Sequence, residues 1–294
     1  MELGEFMRHQ RIDAHLTLRQ VDHDIISDAV LSRFERGESE ISAETFVQLL
    51  PRLYGTVGYL ESQFLMENRD RVFYPVNEDG TVAGLARQRD FYKAQYQHHP
   101  WLYYRLAAIR FSLLANMYTP EFLPTDKQTE VSILFDYLES VKDWGEFEIG
   151  LLLAMSHYTL TSNQIHSIWP MLISFISHHN DSFSIHWQPS EYCDAIGVCQ
   201  SLIWTTIAYQ DFDEAAEMAK TLSKFSMQGN IVLLYNQASY RMMLAYHDAP
   251  SPALDNRFRQ LVAMWTNEMV PGHAAKVLKQ WDEFTTTERA QHGN

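Results

Sequence analysis

From Leu102 onward, apolar and aromatic residues return at every third or fourth position, and this period decides what the chain can fold into. Leu102, Leu106, Ile109 and Leu113 form one such run; Ile133, Phe135 and Leu138, then Leu151, Leu152 and Met155, then Ile165, Ile168, Leu172 and Phe175 form others. Spacing near 3.6 gathers these side chains on one helix face, whereas a half-buried strand needs strict alternation. Strand signals are absent. Breakers separate the runs at Pro100, Pro120, Pro124, Gly145, 161–163, Asp181, Pro189, Asp211, Gly229, Pro250, Pro252 and Pro271-Gly272. They leave helices of roughly 12–20 residues paired through short joints. Residues 211–216 with 230–246, and 143–147 with 162–177, read as degenerate tetratricopeptide units without a strict consensus. One helical pair would expose too much apolar surface, so the pairs are expected to stack and leave a groove suited to an extended peptide.

The first residues follow a different plan. Ser27 can cap a helix through Asp28, Ala29, Val30, Leu31, Ser32, Arg33, Phe34, Glu35 and Arg36, and Gly37 suits the left-handed position that ends it. Val30, Leu31 and Phe34 form its apolar stripe, with Asp28, Ala29, Ser32 and Arg33 outward. Thr17 caps a shorter helix whose Leu18, Val21 and Ile25 face inward, with Ile26 alone separating it from Ser27. Two short helices, a tight joint and an exposed second face define a helix-turn-helix, the unit that lays its second helix in a DNA major groove. A first helix covers 3–13, with Leu3, Phe6, Met7 and Ile12 as its apolar positions. Phe46, Leu49, Leu50, Leu53 and Tyr54 close the core, continued by Leu60, Phe64 and Leu65.

The run Ser32-Arg33-Phe34-Glu35-Arg36-Gly37-Glu38-Ser39-Glu40-Ile41-Ser42, with Leu3-Gly4, Arg8, Arg11 and Leu16, resembles the N-terminal domain of the Rgg-type (MutR-type) transcription regulators, a branch of the XRE helix-turn-helix class. The remaining length, the helical character and Trp144-Gly145-Glu146-Phe147-Glu148 fit the same family more loosely. Periodicity and resemblance together imply an all-α chain: an XRE-type helix-turn-helix domain over 1–66, a linker over 67–83, where the period fails at Pro75, Asn77, Asp79 and Gly80 and a helix enters through Phe73, and a TPR-like repeat domain over 84–294. The resemblance also implies a homodimer that binds double-stranded promoter DNA under the control of a short hydrophobic signalling peptide. In XRE domains an arginine of the first helix pairs with the glutamate of Glu-x-Gly, which here implies Arg11 with Glu35; a phosphate contact by Arg11 is the other reading. Asp22 stands where a small apolar residue is customary, and Ala43 where some relatives carry a linking cysteine.

The DNA-contacting candidates are therefore Arg8, Thr17, Arg19, Ser27, Asp28, Ala29, Ser32 and Arg33. Arg33 can fork onto guanine, Asp28 can accept from a cytosine amino group and Ala29 can meet a thymine methyl. Asp28 equally suits the positive end of its helix without touching a base. Residues 1–66 hold six Arg, no Lys and eleven Asp or Glu, a balance of −5 within a net −14. Counterion release scales with phosphate contacts, so sequence-independent DNA affinity is expected to be low and two copies must share the work.

Other classes find little support. No apolar run reaches membrane-spanning length, and the acidic start Met1-Glu2-Leu3-Gly4-Glu5 is unlike a secretory signal. Cys193 and Cys199 lie about 9 Å apart along a helix, too far to bridge, which together with the missing signal points to the cytoplasm. There is no phosphate loop, His-Glu-x-x-His, Gly-x-Ser-x-Gly or Cys-x-x-Cys, and His98-His99 and His178-His179 stand at helix ends away from Asp or Cys at ligand spacing. Neither an enzyme, a metal nor a cofactor is expected. The groove candidates are Tyr103 and Arg110, seven apart on one face, and Asn236, Tyr240 and Met243 on another helix. They either satisfy neighbouring helix ends or form a peptide clamp, the Asn amide pairing with backbone, Arg taking a carboxylate and Tyr and Met lining apolar pockets. Two rivals remain: a regulator whose repeat domain only dimerises or binds another protein, and a helical scaffold or enzyme with a vestigial helix-turn-helix.

Overall fold

A computed structural model describes residues 2–22, 24–53, 81–119, 126–156, 158, 160–180, 190–227, 230–269 and 273–292. The chain divides between residues 78 and 79 into two units, and among the described residues there is no strand. The first unit holds α1 (Leu3–Asp13), α2 (Leu18–Asp22), α3 (Asp28–Glu35) and α4 (Ala43–Leu49), with a 3-10 turn at Leu50–Leu53. Ser27 has extended backbone and its Oγ accepts from Val30 N at 3.4 Å, while Ser42 Oγ accepts from Thr45 N at 3.1 Å. Each cap satisfies an amide that the first helical turn leaves without a partner. Gly37, at φ 71°, closes α3: its N–H donates to Phe34 O and Glu38 N–H donates to Arg33 O, both at 2.9 Å. That paired pattern stops the helix after eight residues.

Met7, Val21, Leu31, Phe34, Leu49 and Leu53 make the core of this unit. Ile12 departs from the expected stripe and is exposed; five residues beyond Met7, it has turned about 140° away at 100° per residue. The second helix also ends earlier than expected. Asp24 is left-handed (φ 65°), and Ile25 N and Ile26 N both donate to Asp22 O, so a turn rather than helix carries the two isoleucines to the core edge. Asp22 itself is buried. Tyr54, Leu60, Phe64, Leu65 and Phe73 lie outside the described residues.

The second unit contains α5 (Val82–His98), α6 (Leu102–Tyr118), α7 (Lys127–Ser140), α8 (Glu146–Met155), α9 (Ser162–Asn180), α10 (Ser190–Ala208), α11 (Phe212–Leu222), α12 (Ile231–Asp248), α13 (Pro252–Met269) and α14 (His273–His292). Contacts run α6 to α8 to α10 to α12 as one layer, with α7, α9, α11 and α13 packed over it in a second. This is the stacking of helical hairpins expected of a TPR-like domain. Side chains from both layers meet in one core, where Leu113, Leu134, Leu151, Leu172, Ile196, Ile203 and Leu222 are enclosed. Leu102, on the first turn of α6, stays exposed. The motif around Gly145 fixes where α8 begins. Gly145 N donates to Glu148 Oε2 at 2.9 Å, and the other carboxylate oxygen accepts from Tyr137 OH at 2.7 Å.

One position governs the first unit. A Cβ on Gly4 would stand 1.9 Å from Phe34 O, a backbone atom, so α1 meets α3 with no side chain between them. Gly4→Ala is expected to destabilise this unit by about 1–3 kcal/mol, a forced backbone shift outweighing the gain in helix propensity. All seven tryptophans lie in the second unit, so amide hydrogen exchange in α3, rather than tryptophan fluorescence, is the measurement that checks it.

Candidate functional site

In the first unit the Arg11 Nε and Nη2 donate to the two oxygens of Glu35, both at 2.7 Å, and Nη1 donates to Leu16 O at 2.9 Å. The hydrogen bonds to Glu35 hold the Arg11 pKa above its usual value, ahead of the opposing effect of burial. The pair ties the end of α3 to α1 and to the turn before α2. Asp28, Ala29 and Arg33 are then exposed along α3, as are Arg8 on α1 and Arg19 on α2. None of the three arginines forms an ion pair among the described residues. Three hydroxyls among the candidates already have local work. Thr17 Oγ1 donates to Gln20 Oε1 and accepts from Gln20 N, Ser27 Oγ caps α3, and Ser32 Oγ accepts from Arg36, whose Nε and Nη2 bind Glu38.

In the second unit Tyr103 and Arg110 come together on α6 against α8. The Tyr103 ring lies 5.0 Å from Phe147 and 6.0 Å from Tyr92. The Arg110 guanidinium rests on Gly150, where a Cβ would fall 2.6 Å from its central carbon, and sits 5.5 Å from the Phe111 ring. Its Nε is buried with no hydrogen-bond partner, and no carboxylate among the described residues reaches ion-pair distance. Burial pushes the Arg110 pKa down, only partly offset by Tyr92, Asp194 and Glu146 nearby. A guanidinium placed this way can take an anion or an acceptor-rich group as its partner.

Asn236 and Met243 line a separate cavity of about 210 Å³ between α10, α12, α13 and α14, whose walls include Trp204, Tyr235, Phe258 and Trp281. A larger cavity of about 800 Å³ adjoins it and shares Trp204, Met243 and Gln280. Tyr240 differs from expectation: it is 0% exposed and lines neither cavity. Four residues past Asn236 it has turned about 40°, enough to point into the core, where burial pushes its hydroxyl up to about 12. Sequence reading missed Gly150, signalled only by a glycine inside the apolar run 149–155, and Trp204, Trp281 and Gln280, which resemble ordinary helix residues until the fold brings them together. Among the described residues no group of His, Cys, Asp and Glu could hold a metal, and no helix is long and apolar enough to cross a membrane.

A helix-turn-helix unit followed by stacked helical hairpins defines the fold class. No family model matches the chain, and no curated protein sequence is similar to it. Solved structures are. The SHP pheromone receptor Rgg2 of Streptococcus dysgalactiae matches with a TM-score of 0.69 at 20% identity, over 96% of this chain and 100% of that one. A point mutant of PrgX matches at 0.66 and 14% identity, over 99% and 96%, and PrgX in its complex with iCF10 at 0.63 and 13%, over 99% and 97%. A putative transcriptional regulator from Listeria monocytogenes also matches, at a TM-score of 0.69 and 15% identity, over 97% of this chain and 98% of that one, so the chain shares the fold of these proteins.

The ion pair has a measurable asymmetry. The Glu35 side chain is 4% exposed and that of Arg11 13%, so removing the arginine strands the more deeply buried charge. Arg11→Ala is expected to cost about 3–5 kcal/mol and Glu35→Ala less. Hydrogen exchange in α1 and α3 checks the order, and the reverse order would count against it.

Proposed function

We propose that this chain is a cytoplasmic, homodimeric transcription regulator that binds double-stranded promoter DNA through α3 and is controlled by a short hydrophobic peptide held on the α6–α8–α10–α12 layer. The observation that carries this reading is the desolvated, unpaired Arg110 on a helical-repeat layer in a chain that begins with a helix-turn-helix. The shared fold with a pheromone receptor and with PrgX bound to iCF10 supports the peptide part. A pheromone receptor and a putative transcriptional regulator stand among the neighbours, in keeping with a chain that acts by binding. In the DNA part, Arg8, Arg19 and Arg33 serve as the free cations, with Asp28 and Ala29 beside Arg33 on the exposed side of α3. Thr17 and Ser27 position the two helices, and their exposed hydroxyls remain close to any phosphate lying at the helix ends. In the peptide part, Arg110 receives the C-terminal carboxylate, Tyr103 flanks it, and Asn236 and Met243 contact the rest of the chain.

A second reading has its own observation. Ile231 (63% exposed), Val232 and Leu234 stand exposed on the first turn of α12, and such a patch suits a repeat domain that only dimerises or holds another protein.

Two experiments separate these readings. On the cognate operator, Arg33→Ala should weaken binding by about 1–3 kcal/mol through loss of a bidentate base contact, read by fluorescence anisotropy; unchanged affinity in the folded variant removes Arg33 from base recognition. With labelled peptides encoded by the gene's neighbours, Arg110→Ala should lower affinity for free-carboxylate peptides and leave amidated ones unaffected. Gly150→Ala should act in the same direction while keeping the fold, since the new methyl meets only the end of a flexible side chain. Peptides that never bind, with dimerisation intact in sedimentation, would favour the second reading.

A further inference from the structure

The small cavity between α10, α12, α13 and α14 has a chemistry that a general peptide clamp does not explain. Its walls are preorganised. Trp281 stacks on Phe258 with centroids 3.9 Å apart and an 11° interplanar angle, and its Nε1 donates to Asp255 Oδ1 at 2.6 Å. Trp204 and Tyr235 form further aromatic walls. At about 210 Å³ the space admits one large side chain and no folded segment. No carboxylate lines it, so no ion pair would fix a charged group there. Two amides do line it, Asn236 and Gln280, and neither side chain makes a hydrogen bond among the described residues. Each carries a carbonyl acceptor and an NH₂ donor.

An aromatic cavity lined with two unpaired amides matches one residue of an extended chain, whose side chain enters while its own N–H and C=O stay outside and need partners. The cavity also adjoins the larger one, with which it shares Trp204, Met243 and Gln280, which leaves room for the chain beside the anchored residue. We propose that this cavity is an anchor subsite for one aromatic side chain of the bound peptide, with Asn236 and Gln280 clasping the backbone of that same residue. The proposal rests on the peptide reading above and adds to it the class of residue the peptide must carry. Aromatic walls favour an aromatic guest through edge-to-face and offset contacts over an aliphatic one of equal area.

The minimal probe is a single capped residue. Full-length protein is titrated with N-acetyl-4-fluorophenylalaninamide, followed by fluorine NMR, with N-acetyl-phenylalaninamide, N-acetyl-leucinamide and N-acetyl-alaninamide as competitors. The expected result is saturable binding, displaced by the phenylalanine amide at a concentration about tenfold or more below that needed for the alanine amide. Val277→Phe, which fills the cavity, should abolish binding. Asn236→Ala, at a half-buried position that leaves the core intact, should weaken it about fivefold or more. No saturable binding, equal displacement by the alanine amide, or unaltered binding in Asn236→Ala overturns the proposal. The peptide reading fails separately: probe binding that persists while no peptide alters DNA binding keeps the subsite and removes the regulator's signal.

Discussion

The carboxylate of Glu35 can enter the small core of the first unit only because Arg11 meets both of its oxygens. A buried ion pair adds little net stability over a packed apolar pair, but losing one partner is severe, so its contribution is to geometry. Here it joins the last residue of α3 to α1, while Arg11 Nη1 holds Leu16 O ahead of α2. Gly4 lets α1 lie directly on the Phe34 carbonyl, and Gly37 ends α3 two residues after Glu35. The direction of α3, and with it the placement of Asp28, Ala29 and Arg33, follows from three contacts confined to its C-terminal end.

The second unit treats its arginine the opposite way. Arg110 is as much a buried cation as Arg11, yet no carboxylate stands within ion-pair reach among the described residues, and burial lowers its pKa where pairing raises that of Arg11. On the proposed reading, a peptide carboxylate beside the guanidinium would restore the solvation that burial removes. Gly150 supplies the room for the guanidinium, and the Gly145–Glu148 cap supplies the register of α8 that places Gly150 there.

Much of this was legible because it was local. Ser27 and Gly37 announce the two ends of α3 by their own chemistry, and the runs around Leu151 and Ile165 lie inward as their spacing requires. The end of α2 was not legible, since nothing in Asp24 itself demands a positive φ. Tyr240 shows how coarse helical periodicity is: a rotation of about 40° separates a residue lining a cavity from one enclosed in the core. The neighbours of Arg110 and the walls around Asn236 come from helices far apart in the chain. Such juxtapositions belong to the packing of the layers, and no local pattern encodes them.

The stop at Gly37 sets a limit on information. Eight residues make a helix about 12 Å long, close to the width of a DNA major groove at about 12 Å. Laid there, α3 spans three or four base pairs at about 3.4 Å each. A word of that length has on the order of a few hundred spellings, against roughly 10⁶–10⁹ competing sites in a genome. If α3 reads DNA as proposed, one copy can choose an orientation and a short preference but not an address. On the proposed reading an address would require the same short word read twice at a fixed interval, which would make the distance between two copies as much a part of the message as the bases themselves.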